Sequence, residues 1–380
     1  MPVMTGLSGN EIYCLHLKGL LPGELVVGNS VYAMGLFGSL SAGVRNMMGG
    51  EVTQVTQIIH EGRAQAFARM QAEAAQHGGA GISGVSSELR HFHGNSVFRS
   101  VGSAVHREGA ARGTEKLEFS TAHDAQELYC MMDAGYVPRH FAFGNVAYSM
   151  GVTGGILGGL KSMGRGEVKE FSDVFNQTRH VALARIAADA AQHGANAVLG
   201  IETSVMPFQG VHEMMMIGTG CQHPAVAGIA AGAAGGVVTS DMTAAETWNL
   251  SAMGMVPLKL VLGTAVYSLG IVGGILAALK SFSRGEVNEL TRLIYDAREH
   301  AIGLIRAEAQ AIGADDVVGI KTHVHDMGNL LEFMAIGTAV KKVEGVKPES
   351  ALLPAQAIIQ DQDTWVTEGA GIFASLQKKD

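Results

Sequence analysis

Three times along the chain the same phrase returns. Ser30-Val31-Tyr32-Ala33-Met34-Gly35 comes back as Val146-Ala147-Tyr148-Ser149-Met150-Gly151 and again as Ala265-Val266-Tyr267-Ser268-Leu269-Gly270. The tyrosines lie 116 and 119 residues apart (148 − 32 and 267 − 148), and Gly50-Glu51-Val52, Gly166-Glu167-Val168 and Gly285-Glu286-Val287 keep the same offsets. A period of about 100 residues plus a linker is the size of a small domain, far longer than a solenoid unit. The spacing therefore predicts three homologous domains in tandem, over residues 8–106, 123–221 and 241–341, followed by a tail over 342–380 that has no repeat partner.

Within a repeat, Asp124 caps a short polar-to-apolar stretch that stops at Gly135 with Pro138 beyond it, which is ordinary helix punctuation. Gly19 and Pro22, and Gly254 and Pro257, mark the same stop in the other copies. A β-rich run such as Leu258 to Val266 follows and reads as the first strand. A long amphipathic helix comes next, with Leu290, Leu293, Ile294, Ala297, Ala301 and Ile305 on one face in the third repeat. Gly78, Gly194 and Gly313 end that helix at one shared position, where a left-handed cap is expected. Two more strand-like runs close each unit. The expected class is α+β: three β-α-β-β domains, each a long helix on a small antiparallel sheet, with a short leading helix.

The chain is 47% hydrophobic and only 16% charged, so something must cover its apolar surface. Between Glu24 and Arg45, His140 and Lys161, and Lys259 and Lys280 lie three windows of 20 residues without Asp, Glu, Lys or Arg. That length would cross a bilayer as a helix, yet the first half of each window reads as strand and the second is dense in glycine. Gly151, Gly155, Gly159, Gly270 and Gly274 have the small-residue spacing that lets backbones approach closely, which is expected at an oligomer interface. A net charge of −8 with no clustered Lys or Arg argues against nucleic acid. Cys14, Cys130 and Cys221 are too few for a disulfide framework and too scattered for a zinc box. No secretory pattern opens the chain, so a cytoplasmic setting is expected.

Arg-Gly-Glu-Val before the long helix, the run His193-Gly194-Ala195-Asn196-Ala197-Val198-Leu199-Gly200-Ile201 and the closing Ile336-Gly337-Thr338-Ala339-Val340 resemble the YbjQ-like family, whose members are labelled heavy-metal-binding domains. The resemblance implies a dodecin-like fold of single domains that assemble as rings, commonly pentamers, and it covers most of each repeat. It also implies a Glu shortly before the last glycine-threonine turn. Glu213 and Glu332 match that position, whereas Val97 stands there in the first repeat. The copies diverge further at Gly102-Ser103-Ala104-Val105 and Gly218-Thr219-Gly220-Cys221.

For metal chemistry, His91 and His93, and His323 and His325 with Asp326 beside them, place imidazoles on one face of a strand. A divalent transition metal is the cofactor such residues would hold, although only two ligands come from each motif. His77 and His193, at the ends of the long helices, are read as caps. Arg63, Arg179 and Arg298 recur in every repeat and are expected in ion pairs at interfaces between neighbouring copies. Glu51, Glu167 and Glu286 are expected in the first helical turn. Neither a Gly-x-Ser-x-Gly elbow nor a P-loop lysine is present, so no enzyme is supported. The leading expectation is a homo-oligomeric ring or shell. A metal or small-ligand module with sites at domain interfaces, and a membrane-associated oligomer, are the alternatives.

Overall fold

The computed structural model describes residues 2–33, 50–93, 95–110, 114–149, 166–208, 211–230, 236–268, 288–326 and 330–358. Repeat 1 contains α1 (Gly9–Leu17), β1 (Leu20–Ala33), β2 (Gly50–Glu51), α2 (Thr53–Gln76), β3 (Gly81–Phe92) and β4 (Asn95–Arg107). The short β5 (Phe119–Ser120) leads to repeat 2, with α3 (Ala125–Asp133), β6 (Val137–Ser149), β7 (Gly166–Glu167), α4 (Lys169–Gln192), β8 (Ala197–Phe208) and β9 (Val211–Gln222). A 3₁₀ turn (Pro224–Val226), α5 (Ala227–Ala230) and β10 (Val238–Thr239) lead to repeat 3, with α6 (Ala244–Ala252), β11 (Met255–Ser268), α7 (Asn288–Ala311), β12 (Asp316–Asp326) and β13 (Leu330–Lys342). The described part of the tail ends in α8 (Ala355–Ile358). The α+β class and the β-α-β-β order within each repeat are as the periodicity predicts.

Each sheet is antiparallel around its closing strand, with the first strand of the repeat on one side and the strand that follows the long helix on the other. One contact recurs where helix crosses strand. A Cβ added at Gly28, Gly144 or Gly263 would lie 1.9, 2.5 or 2.4 Å from the carbonyl oxygen of Ala66, Ala182 or Ala301 on the helix above, so only glycine allows the helix to seat this closely. Gly78, Gly194 and Gly313 have φ of 65°, 75° and 66°, the left-handed cap conformation. Gly84, Gly200 and Gly319 are also left-handed and sit in bulges that interrupt the register of β3, β8 and β12.

The repeats exchange strands, which periodicity could not show. Gly50 and Glu51 pair with Ser149 and Tyr148 on β6 of the following repeat, and Gly166 and Glu167 pair with Ser268 and Tyr267 on β11. In return, β5 and β10 pair in parallel with the start of β3 and β8 of the preceding repeat. Glu51 and Glu167 are therefore strand residues and not the helix-opening carboxylates expected from sequence; α2 and α4 begin two residues later. Glu51 pairs with Arg185 at 2.9 Å and Glu167 with His300 at 3.2 Å, both across repeats. Glu286 lies outside the described residues, as do Gly151, Gly155, Gly159, Gly270 and Gly274.

The leading helices α1, α3 and α6 share one apolar cluster that includes Cys14, Leu15, Leu128, Cys130, Met131 and Trp248. Glu11 accepts from the backbone N–H of Ala125, at the start of the next leading helix. Asp133 anchors this layer, accepting from Lys18 Nζ, Trp248 Nε1 and Ser350 Oγ, each at 2.8 Å. The tail docks here through Val346 and Ala357. Burial raises the thiol pKa of Cys14 to about 11 and of Cys130 to about 12, so both are inert small core residues. Among the described residues no helix is long and apolar enough to cross a membrane.

Candidate functional site

The seams between successive repeats are the most elaborated feature of the molecule. At the first, α2 lies across β6 of repeat 2: Val52, Val55 and Ile59 pack with Ala147, and Phe67 and Met70 pack with Phe141 and Phe143. At the second, Phe171, Phe175 and Leu183 of α4 pack with Leu260, Leu262 and Val266 of β11. In both, a helix hydroxyl takes a backbone N–H of the following repeat's first strand. Thr56 Oγ1 accepts from Ala147 N and Ser172 Oγ accepts from Val266 N, each at 2.9 Å.

At the centre of each seam lies a buried ion pair. Arg63 donates through Nε and Nη2 to the two carboxylate oxygens of Glu213, at 3.0 and 2.7 Å, with both side chains almost inaccessible. Its Nη1 donates to Ser87 Oγ at 3.0 Å. Arg179 reaches Glu332 through Nη2 alone and donates from Nη1 to Thr264, while its buried Nε has no hydrogen-bond partner among the described residues. The bidentate pairing of Arg63 meets the donor geometry of a guanidinium and compensates much of the cost of drying two charges, and the single contact of Arg179 does so less completely. Arg298, the third member, is about half exposed, and among the described residues its one acidic neighbour within salt-bridge distance is Glu299, at 3.9 Å.

Among the described residues, the outward faces at the two ends of the row have no such cover. Along β6 every described residue from His140 onward is buried, and β11 is almost as fully buried, because a helix of the preceding repeat lies on the second face. β1 instead alternates between buried and exposed. Leu25 is 44% and Val31 61% exposed, whereas the residues at the same repeat positions, Phe141 and Leu260, Ala147 and Val266, are at most 1% exposed. At the far end, α7 keeps the seam-forming residue types, with Thr291, Ile294, Tyr295 and Arg298 lining a groove of about 350 Å³. Among the described residues, β1 and β12 are edge strands of their sheets.

Two further sites bring titratable groups together. Where the three repeats meet, a cavity of about 900 Å³ is lined by His123, Glu127, Glu202, Asp241, Lys321 and His323 among others. His123 is buried and its ring nitrogens have no hydrogen-bond partner among the described residues, although Glu127 Oε2 lies 3.4 Å from Nε2. Burial lowers the His123 pKa to about 4 and, with help from Asp124 and Glu202, raises that of Glu127 to about 7. Separately, His140 of β6, Asp189 of α4 and His193, which caps α4, have ligand atoms within 4.8 Å of one another. Their imidazoles stack with centroids 3.5 Å apart, while Phe143 N holds Asp189 Oδ2 at 3.0 Å.

The residues singled out from sequence are placed as follows. His323 and His325 lie on one face of β12 with ring centroids 6.4 Å apart, and both line the central cavity, while Asp326 is the next residue along the strand. His91 packs against Phe208, and His93 occupies the hairpin turn with φ 46°. The structure does not bring either pair together with a third ligand; among the described residues the one such cluster is that of His140, Asp189 and His193, which sequence reasoning missed. Its signal was Asp189 and His193 at i, i+4 on a helix, obscured because His140 is far away in the chain. His193 also donates from Nδ1 to the Asp189 carbonyl at 2.8 Å, as a helix-end cap does.

A protein whose repeats share helices and strands across their seams is one continuous row of β-α-β-β units. The chain belongs to the YbjQ family, described as "Putative heavy-metal-binding", which matches residues 22–108, 138–223 and 242–343. It is similar to the encapsulin nanocompartment protein Rv1762c of Mycobacterium tuberculosis, 33% identical over 217 residues that cover 55% of this chain and 80% of that protein. It is also similar to UPF0145 proteins of Pseudothermotoga lettingae, 42% identical over 22% of this chain and 80% of the relative, and of Methanocella arvoryzae, 38% identical over 23% and 72%.

Proposed function

We propose that this protein self-assembles in the cytoplasm, repeat 3 of one chain seating on repeat 1 of the next to build a ring or shell. The observation that carries the reading is the contrast between β1, exposed on one face, and β6 and β11, buried on both. Two faces that are complementary but different make a heterologous contact, which closes into a ring or runs on as an open array. A relative named for an encapsulin nanocompartment supports assembly as the task. Native mass spectrometry is expected to give multiples of the 39.7 kDa chain, and Val31→Arg, on an exposed position, is expected to leave a folded monomer. A monomeric wild-type protein at high concentration would overturn the reading.

A second reading, metal binding, rests on His140, Asp189 and His193. At the same repeat positions in repeat 3, the Lys259 ammonium sits 2.6 Å from Glu308 and supplies a positive charge. Repeat 2 has His140 in place of that lysine, so a divalent transition metal held by imidazole and carboxylate would take the cation's place. His193 is exposed enough to turn out of its stack toward an ion. Calorimetry of chelator-treated protein with zinc is expected to show one site per chain that His140→Gln removes and a His323→Ala/His325→Ala double variant leaves intact. Heat-silent titration, or loss in the double variant alone, would sink it.

A further inference from the structure

The joint between chains differs chemically from the two joints within a chain, and this deepens the assembly reading on which it rests. In register, Ala147 faces Glu213 and Val266 faces Glu332 across the strand pair, and each glutamate receives the arginine of the preceding repeat. The same register in repeat 1 sets Val31 opposite Val97. The acceptor end is therefore apolar at the position where both internal seams hold a carboxylate. The donor end has kept its half of the machinery. Thr291 stands where Thr56 and Ser172 bond the next strand's backbone N–H, Ile294 stands where Ile59 and Phe175 pack, and Arg298 stands where Arg63 and Arg179 pair.

We propose that Arg298 of one chain faces Val97 of a second chain across the intermolecular seam, and that the missing carboxylate makes this seam the reversible joint of the assembly. Leu25, Val31 and Val97 offer Ile294 and Ile302 the apolar surface on which the internal seams are built, and the open edge of β1 offers its N–H groups to Thr291. The guanidinium brought with them must be dried without a partner, which offsets part of that gain. In both internal seams a glutamate meets the guanidinium, and being intramolecular they also benefit from a high effective concentration. Chains therefore separate from one another while repeats within a chain stay joined.

The test is sedimentation velocity over a concentration series for wild type, Val97→Glu, Arg298→Met and the double variant, with circular dichroism confirming the fold. Val97→Glu is expected to tighten association at least tenfold, and Arg298→Met to tighten it more modestly by removing the unpaired charge. The double variant is expected to associate more weakly than wild type, because a lone carboxylate is then dried. Wild type that associates with an affinity indifferent to Val97→Glu and to Arg298→Met would overturn this pairing while leaving self-assembly intact. Wild type that does not associate would overturn both. Should Val97→Glu fail to fold, Arg298→Met alone decides, since weaker or unchanged association in that variant contradicts a cost of burying the arginine.

Discussion

Arg63 and Glu213 illustrate how a single charge can be indispensable without the pair being a source of net stability. Both are dry, and each answers the other's hydrogen-bonding groups. Glu213→Ala leaves a guanidinium buried without its acid and is expected to cost about 3–5 kcal/mol, read as a lower urea midpoint. A double variant, Arg63→Met with Glu213→Leu, is expected to recover most of that loss, because the solvation cost disappears together with the attraction. His123 and Glu127 show the opposite economy, since each is held toward its neutral form by burial. Glu127, with a folded pKa of about 7 against an ordinary 4.5, destabilises the fold increasingly as pH rises between those values. His123, with a folded pKa of about 4 against 6.5, does so as pH falls between its own two values. Glu127→Gln is therefore expected to stabilise the protein by about 2–3 kcal/mol near pH 8 and to change little near pH 4, measured by urea unfolding at both.

Among the elements, the long helices and their strands form one mechanical unit at the crossing glycines. Gly144→Val would drive methyl groups against the Ala182 carbonyl and the Ile186 amide, both 2.5 Å from the position of an added Cβ. No side-chain rotation relieves a clash with backbone, so the cost is expected to reach or exceed the ~3 kcal/mol usual for overpacking. Thermal unfolding would show it, with α4 displaced from β6. These helices and strands were legible in the sequence because their apolar periodicity extends over ten residues or more and recurs in three copies. Strands β2, β5, β7 and β10 were not, since two residues carry no period and their pairing is decided by a neighbouring repeat. The partner of Arg63 was hidden for a related reason, lying 150 residues away. Its signature was nonetheless present: arginine in all three repeats and glutamate in the last two is the pattern expected when each arginine reaches forward by one repeat.

Among the described residues the three units form a row whose central sheet receives strands from both sides and whose outer sheets receive one from a single side. The site was less legible than the fold. Sequence pointed to histidine pairs on strands, whereas the groups that converge do so by tertiary packing across β6 and α4. The threefold fusion also carries an arithmetic consequence. Any closed circle made from copies of these three fused repeats contains a number of such domains divisible by three, so the five-membered ring implied by the resemblance to single-domain relatives cannot be completed from them without stranding a unit. Six is the smallest closed count for more than one chain, and every third junction around such a circle would be of the carboxylate-free type. Dilution would then cut it only at those junctions, releasing intact trios.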